Sequence, residues 1–176
     1  KNKMKISSLV LTKNEEEMLG DALKQLDFSD EIIILDQGSQ DKTLEIAKKF
    51  TQKIISSKVE DYAQRRNMLA ENAQGEWLFY LDPDERITDN CKKEILAAIQ
   101  SNEHSAYYIP RENHILGKFL KHGGWYPDYV PRLFKKSEFL GWKGKVHESP
   151  KFNGSAGYLK TPLVHKTARD LKSMLD

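Results

Sequence analysis

The apolar positions of this chain change period repeatedly, and each change marks a new element. Ile6 to Leu11 is a short run rich in β-branched and aliphatic residues, which predicts a strand. Met18, Leu19, Ala22, Leu23 and Leu26 then recur at helical spacing. Glu31 to Leu35, with three consecutive isoleucines, predicts a second strand buried on both faces. Asp41 to Phe50 returns to helical spacing, with Leu44, Ala47 and Phe50 on one side, and Lys53 to Ser56 predicts a short third strand. A helix over Tyr62 to Ala73 follows, with Gly75 as its C-terminal stop. Trp77 to Leu81 predicts the fourth strand and Asp89 to Ser101 the next helix, with Ile95, Leu96 and Ile99 turned inward.

Alternation of this kind predicts an α/β domain with a mostly parallel central sheet and helices on both faces. In such sheets ligands bind beyond the carboxyl ends of the strands. That rule directs attention to Thr12–Asn14, Asp36–Asp41 and Asp82–Glu85. After Ser101 the pattern changes. Ala106 to Pro110 predicts a strand, followed by about 20 irregular, aromatic and basic residues of a length that is usually functional or disordered. Pro131 to Lys135, Lys143 to Val146 and Tyr158 to Val164 predict further strands. Asp170 to Asp176 reads as a helix stopped without a cap, which suggests a chain truncated at its C-terminus. No repeat or linker divides the sequence, so residues 1–176 are expected to form one domain, with halves at 1–104 and 105–176.

Composition narrows the class. Charged residues make up 31% and hydrophobic ones 39%, which excludes collagen-like and disordered chains. No apolar run approaches the roughly 20 residues of a membrane helix, and Lys1 to Lys5 lack the apolar core of a signal peptide. The single Cys91 can form neither an internal disulfide nor a thiolate cluster, and it fits a reducing, cytoplasmic setting. The net charge of +2 hides an asymmetry: −5 over residues 1–110, +5 over 111–145 and +2 over 146–176.

Candidate chemistry sits at the predicted strand ends. Asp82-Pro-Asp-Glu85 offers two carboxylates two positions apart, which can place oxygen ligands around Mg²⁺ or Mn²⁺. The same composition also suits a solvated turn. An EF-hand is excluded, because Ile87 stands where its glycine would be. Asp36-Gln-Gly-Ser-Gln-Asp41 joins a buried strand to a helix, with Gly38 allowing a tight backbone and Ser39 or Asp41 able to cap.

Four segments taken together carry a resemblance: Leu11-Thr-Lys-Asn-Glu15, Asp36-Gln-Gly-Ser-Gln-Asp-Lys-Thr43, Arg66-Asn67 and Asp82-Pro-Asp-Glu-Arg86. Their order and spacing resemble the family 2 inverting glycosyltransferases, which have a single A-type nucleotide-binding α/β domain. Arg132-Leu-Phe134 and Trp142-Lys-Gly-Lys-Val-His-Glu148 look like the bacterial branch that includes lipopolysaccharide-core glucosyltransferases. Two departures stand out. Gln37 and Gln40 replace a serine and a threonine, and Pro83 replaces an alanine, but no carboxylate is lost. The resemblance implies that Thr12, Asn14, Glu15, Gly38 and Arg66 border the nucleotide of a UDP-sugar and that Asp36 recognises its base. It implies that Asp82 and Asp84 meet ribose, diphosphate and metal, with His165 a further candidate ligand. A packed, hydrogen-bonded His165 is the alternative.

Inverting transfer needs a general base opposite the leaving diphosphate. Glu148 stands where the family carries an acidic base, and Asp128 is its rival; Glu148 can instead be a structural carboxylate holding Arg132 or the metal site. A zinc-protease helix is excluded, because Lys151 occupies the place of its second histidine. Residues 111–145 hold seven aromatics (Phe119, Trp125, Tyr126, Tyr129, Phe134, Phe139 and Trp142). With the local charge of +5, that predicts a carbohydrate or anionic glycolipid acceptor and peripheral contact with the inner membrane surface. Single-stranded nucleic acid fits the same composition, but nothing at Asp36 or Asp82 supports it, and no nucleic-acid partner is expected. The remaining alternatives are a non-catalytic nucleotide-sugar or glycan-binding module and a sugar-phosphate nucleotidyltransferase. The latter's glycine-rich loop is missing between Leu11 and Met18.

Overall fold

The computed structural model describes residues 5–120 and 126–168. The first half runs β1 (Ile6–Thr12), α1 (Leu19–Lys24), β2 (Glu31–Asp36), α2 (Thr43–Lys48), β3 (Ile54–Ser56), α3 (Tyr62–Asn72), β4 (Trp77–Tyr80), β5 (Glu85–Arg86) and α4 (Asp89–Ser101). The second is almost all strand: β6 (Ala106–Ile115), β7 (Lys118–Phe119), β8 (Asp128–Lys135), β9 (Phe139–Lys143), β10 (Ser149–Phe152), β11 (Ala156–Tyr158) and β12 (Leu163–Ala168). The main sheet has the order β3-β2-β1-β4-β8-β6-β12-β5, with β7 and β11 also paired to β6, and β9 and β10 form a separate hairpin. Strands β3, β2, β1 and β4 are mutually parallel, and β8 enters antiparallel to β4.

The period-2 alternation of the strands distributes the core to both faces. Val10, Ile34 and Phe79 point to one side, where they meet Leu19, Ala22 and Leu23 of α1, Ala47 of α2, and Cys91, Ile95 and Ala98 of α4. Leu9, Ile33, Leu35, Leu78 and Tyr80 point to the other, against Ala63, Leu69 and Ala70 of α3 and against Phe134 and Trp142. Fully burying one such aliphatic side chain is worth about 1.5–3 kcal/mol, so helices on both faces are what this alternation requires. In α4 the inward stripe is Cys91, Ile95 and Ala98; Leu96, expected inward, lies a third of a turn away and is 42% exposed. Thr88 caps that helix by accepting the Cys91 amide at 3.2 Å, and Asn102, at φ 53°, closes it.

Four expectations change. Helix α3 ends without a glycine stop, with Ala73 already extended at φ −77° and ψ 140°. Gly75 serves a close approach instead: a Cβ there would lie 2.7 Å from the Ser7 amide nitrogen. The stretch after Pro110 is not irregular over the described residues, because β6 runs on to Ile115, β7 turns back on it, and β8 begins at Asp128. The strand expected over Lys143–Val146 is β9, which ends at Lys143. Tyr158–Val164 is divided between β11 and β12, two strands that lie end to end along β6. The C-terminal helix expected over 170–176 lies outside the described residues.

Candidate functional site

The strand order reverses direction at β1: the chain first builds outward through β2 and β3, then returns to add β4 on the other side. A crevice opens at the carboxyl ends of strands on either side of such a switch. It is lined by Leu11, Thr12, Lys13 and Glu15 after β1, Gln37 after β2, Tyr62 and Arg65 of α3, and Asp82, Pro83 and Asp84 after β4.

Its floor is stitched by polar side chains. Asp36 is 1% exposed and accepts from the amides of Gly38 at 3.0 Å and Ser39 at 2.9 Å and from the Ser39 hydroxyl. Its carboxylate therefore folds its own loop and keeps one acceptor position of about four. Gly38 adopts φ 74°, the left-handed conformation this turn demands. Asn14, at φ 51°, accepts the Gln40 amide at 2.8 Å, and the Glu15 amide donates to Thr43 Oγ1 at 2.7 Å. The loops after β1 and β2 thus form one rim.

Arg66 of α3 and Glu148, just before β10, face one another. The Arg66 guanidinium lies 4.3 Å from the Trp142 ring centre and 5.7 Å from that of Tyr62, with Glu148 Oε1 at 3.9 Å. Burial and then the neighbouring Arg132 weaken its hold on its proton, while Asp82 and Glu148 oppose them. Arginine stays charged in proteins, so this is a buried cation with incomplete compensation. Two further polar atoms of the crevice, Thr12 Oγ1 and Arg65 Nε, are buried without a hydrogen-bond partner among the described residues. Such atoms are uncommon.

Behind the acidic motif lies a buried ionic layer. Arg132 donates to Glu85 through Nε at 3.2 Å and Nη2 at 2.7 Å, and to Asp82 Oδ2 at 3.0 Å. Burial disfavours its charge, but Glu85 and Asp82 outweigh that and raise its affinity for the proton. A register shift between β6 and β8, where Tyr107 faces Leu133 but Tyr108 faces Pro131, leaves Arg132 as the extra residue of a bulge. Arg111 donates to Asp128 Oδ2 through Nε at 3.0 Å and Nη2 at 2.8 Å. His165 Nε2 is 3.0 Å from Asp84 Oδ2, and its Nδ1 is 2.7 Å from Asn113 Oδ1. Asp84 is pulled below the ordinary carboxylate value: burial works against this, and the contact with His165 prevails.

The family model described as Glycosyl transferase family 2 matches residues 7–156. The chain belongs to glycosyl transferase family 2. Among curated relatives, this family 2 domain is 26% identical over 177 aligned positions to the lipopolysaccharide core biosynthesis glycosyltransferase LpsC of Rhizobium meliloti, covering 93% of the chain and 63% of LpsC. Of the first three such relatives it matches, it spans 34%, 36% and 63% of the length. It shares its fold with S. aureus TarS in complex with UDP-GlcNAc, at 20% identity and a TM-score of 0.60, over 76% of this chain and 46% of the other. It also matches glucosyl-3-phosphoglycerate synthase from Mycobacterium tuberculosis in complex with Mn²⁺, UDP-glucose and glycerol 3-phosphate, at 15% identity and a TM-score of 0.52, over 65% and 46%.

Within the family 2 fold, the expected residues fall into two groups. Thr12, Glu15, Asp82 and Asp84 line the crevice itself. Asn14, Asp36 and Gly38 build its rim, while Arg66 and Glu148 face one another. Arg132 is held by Glu85 and Asp82 rather than by Glu148. Trp125 lies outside the described residues. Sequence reasoning passed over Arg65, Glu85, Arg111 and Asn113. Glu85 was visible as the third acid of its motif, but Arg111 and Asn113 carried no signal, since both sit in a polar stretch that read as loop. No helix among the described residues is long and apolar enough to cross a membrane.

Proposed function

We propose that this domain performs inverting transfer of a hexose, with glucose the first choice, from a UDP-sugar to a carbohydrate or anionic glycolipid acceptor at the cytoplasmic side. The observation that carries this reading is Arg66, a ring-stacked, buried cation whose nearby carboxylates compensate it incompletely. A nucleoside diphosphate supplies the missing negative charge. The UDP-sugar complexes of the two structural neighbours and the lipopolysaccharide-core assignment of LpsC support the same substrate classes.

Asp84 and His165, 3.0 Å apart, would be the residues to hold Mg²⁺ or Mn²⁺. No group of three or more acidic, histidine or cysteine side chains placed to hold a metal ion occurs among the described residues. A sparse set suits a hard cation that keeps waters and binds substrate phosphates. When bound, the cation would offset charge gathering on the leaving diphosphate. Asp36 retains an acceptor position for a ring N–H of the base, and Arg66 orients the diphosphate. Glu148 takes the proton of the acceptor hydroxyl as its oxygen bonds to the anomeric carbon and the bond from that carbon to the diphosphate breaks.

Thermal shift with UDP, GDP and ADP, each with and without Mn²⁺, tests the reading. UDP with Mn²⁺ should raise the melting temperature most, since a ligand bound at 100 times its Kd stabilises by about 2.7 kcal/mol. Asp84→Asn should lose most of the metal-dependent part of that shift. A larger response to GDP would refute the uridine assignment. Donor hydrolysis with Mn²⁺ separates an enzyme from a binding module.

A further inference from the structure

Asp128 stands at the start of β8, and its hydrogen bonds come from Arg111 and Asn113. One oxygen, Oδ2, receives Arg111 Nε and Nη2 and also Asn113 Nδ2 at 3.3 Å. Asn113 is buried, and its side-chain amide has two distinguishable ends. With its NH₂ group committed to Asp128, its carbonyl Oδ1 faces His165 Nδ1 at 2.7 Å. A carbonyl only accepts, so the proton of that contact belongs to Nδ1. The neutral imidazole then carries its lone pair on Nε2, which is 3.0 Å from Asp84 Oδ2. Two acceptors facing one another at that distance need a cation between them or a proton on Nε2. Strand pairing sets the series mechanically: His165 of β12 is in register with Asn113 of β6 on one side and Glu85 of β5 on the other.

We propose that Asp128 is a positioning residue: through Asn113 it holds the proton of His165 on Nδ1 and so presents Nε2, beside Asp84, to the divalent cation. Arg111 anchors the series by fixing the Asp128 carboxylate, and Arg111 is itself 3.4 Å from the buried Glu85. A partner of this kind on the far nitrogen of a metal-binding histidine sets its tautomer and ring orientation. The inference rests on the metal reading above, but its central claim concerns which nitrogen carries a proton, and that is read separately from metal affinity.

The test is ¹⁵N NMR of the chain with saturating Mg²⁺ and UDP, at a pH well above the ordinary titration range of imidazole, together with Mn²⁺ titration in the presence of UDP. The His165 signal is assigned by its loss in His165→Gln. Wild type should show the Nδ1–H pattern. In Asp128→Ala the Asn113 amide is free to turn its NH₂ group toward Nδ1, and the pattern should move to Nε2–H. Mn²⁺ affinity should fall roughly 10–100-fold, the usual cost of removing such a partner. Asn113→Leu, which leaves the Arg111–Asp128 pair in place, should also lose the Nδ1–H preference and affinity if loss of fold compromises Asp128→Ala. Asp128→Asn should retain Mn²⁺ affinity within about threefold of wild type, because Arg111 will still demand an oxygen at the same place. An Nε2–H pattern in wild type overturns the proposal. So does an Asp128→Asn variant that binds Mn²⁺ normally yet has no turnover, which would mark Asp128 as the base. A wild type with no Mn²⁺ affinity would sink the metal reading instead.

Discussion

A guanidinium stacked on Trp142, with the Tyr62 ring centre 5.7 Å away, keeps its charge while losing much of its hydration, because the indole replaces water on a flat face. Arg66 is therefore cheapest to complete with a planar or multidentate anion, and Glu148 at 3.9 Å is too distant to do so alone. That geometry leaves the Glu148 carboxylate available to accept a proton. Glu148→Gln preserves size but cannot take the proton, so turnover should drop by about 10²–10⁴ while UDP affinity changes little. Steady-state kinetics beside UDP titration measures both, and an unchanged turnover would remove Glu148 from the base role. A second carboxylate matters at the other end of the sheet. Glu31 is buried, which works against its charge, but bonds from Lys53, Ser7 and the Gln74 amide outweigh this and hold it below the ordinary glutamate value of 4.5. Its contribution to stability is thus complete above that value and lost as pH falls through the depressed one. Glu31→Gln should be less stable than wild type at neutral pH, and the gap should narrow as pH falls below 4.5 in denaturant titrations.

At the scale of elements, the apolar strands and helices of the first half could be read from periodicity because their faces are buried against carbon. Helix α4 agrees with its expected bounds, since Thr88 and Asn102 cap a regular stripe. The polar half of β6 could not be read in that way. Arg111 and Asn113 alternate with Glu112 and His114 as a strand should, but the inward pair meets Asp128, Glu85 and His165. A search for alternating carbon sees a loop there. β9 was displaced for a related reason: Gly141, at φ 105°, interrupts the apolar run, and a Cβ there would sit 3.2 Å from Asn67 Oδ1. Gly75 was singled out correctly as special but for the wrong constraint. Gly75→Ala should cost about 1–3 kcal/mol through overpacking against Ser7, seen as a lower midpoint in chemical denaturation. A neutral outcome would mean that the turn before β4 shifts freely.

Across the whole molecule, the carboxylates that follow β4 are held by the strands of the second half. Arg132 from β8 grips Asp82, and His165 from β12 reaches Asp84. The family model's match ends at residue 156, yet β12 begins at Leu163 and lies inside the sheet between β6 and β5. A fragment cut at residue 156 would strip β5 of its sheet partner and bare part of β6 as an open edge. It should aggregate or melt early, and show no Mn²⁺-dependent response to UDP. A fragment that retained that response would show His165 to be dispensable. For anyone assembling chimeras or paring the domain to a minimum, the stretch that the family model covers is shorter than the sheet that must close. Grafting the first without the rest would transplant a crevice whose Asp84 has lost the strand behind it.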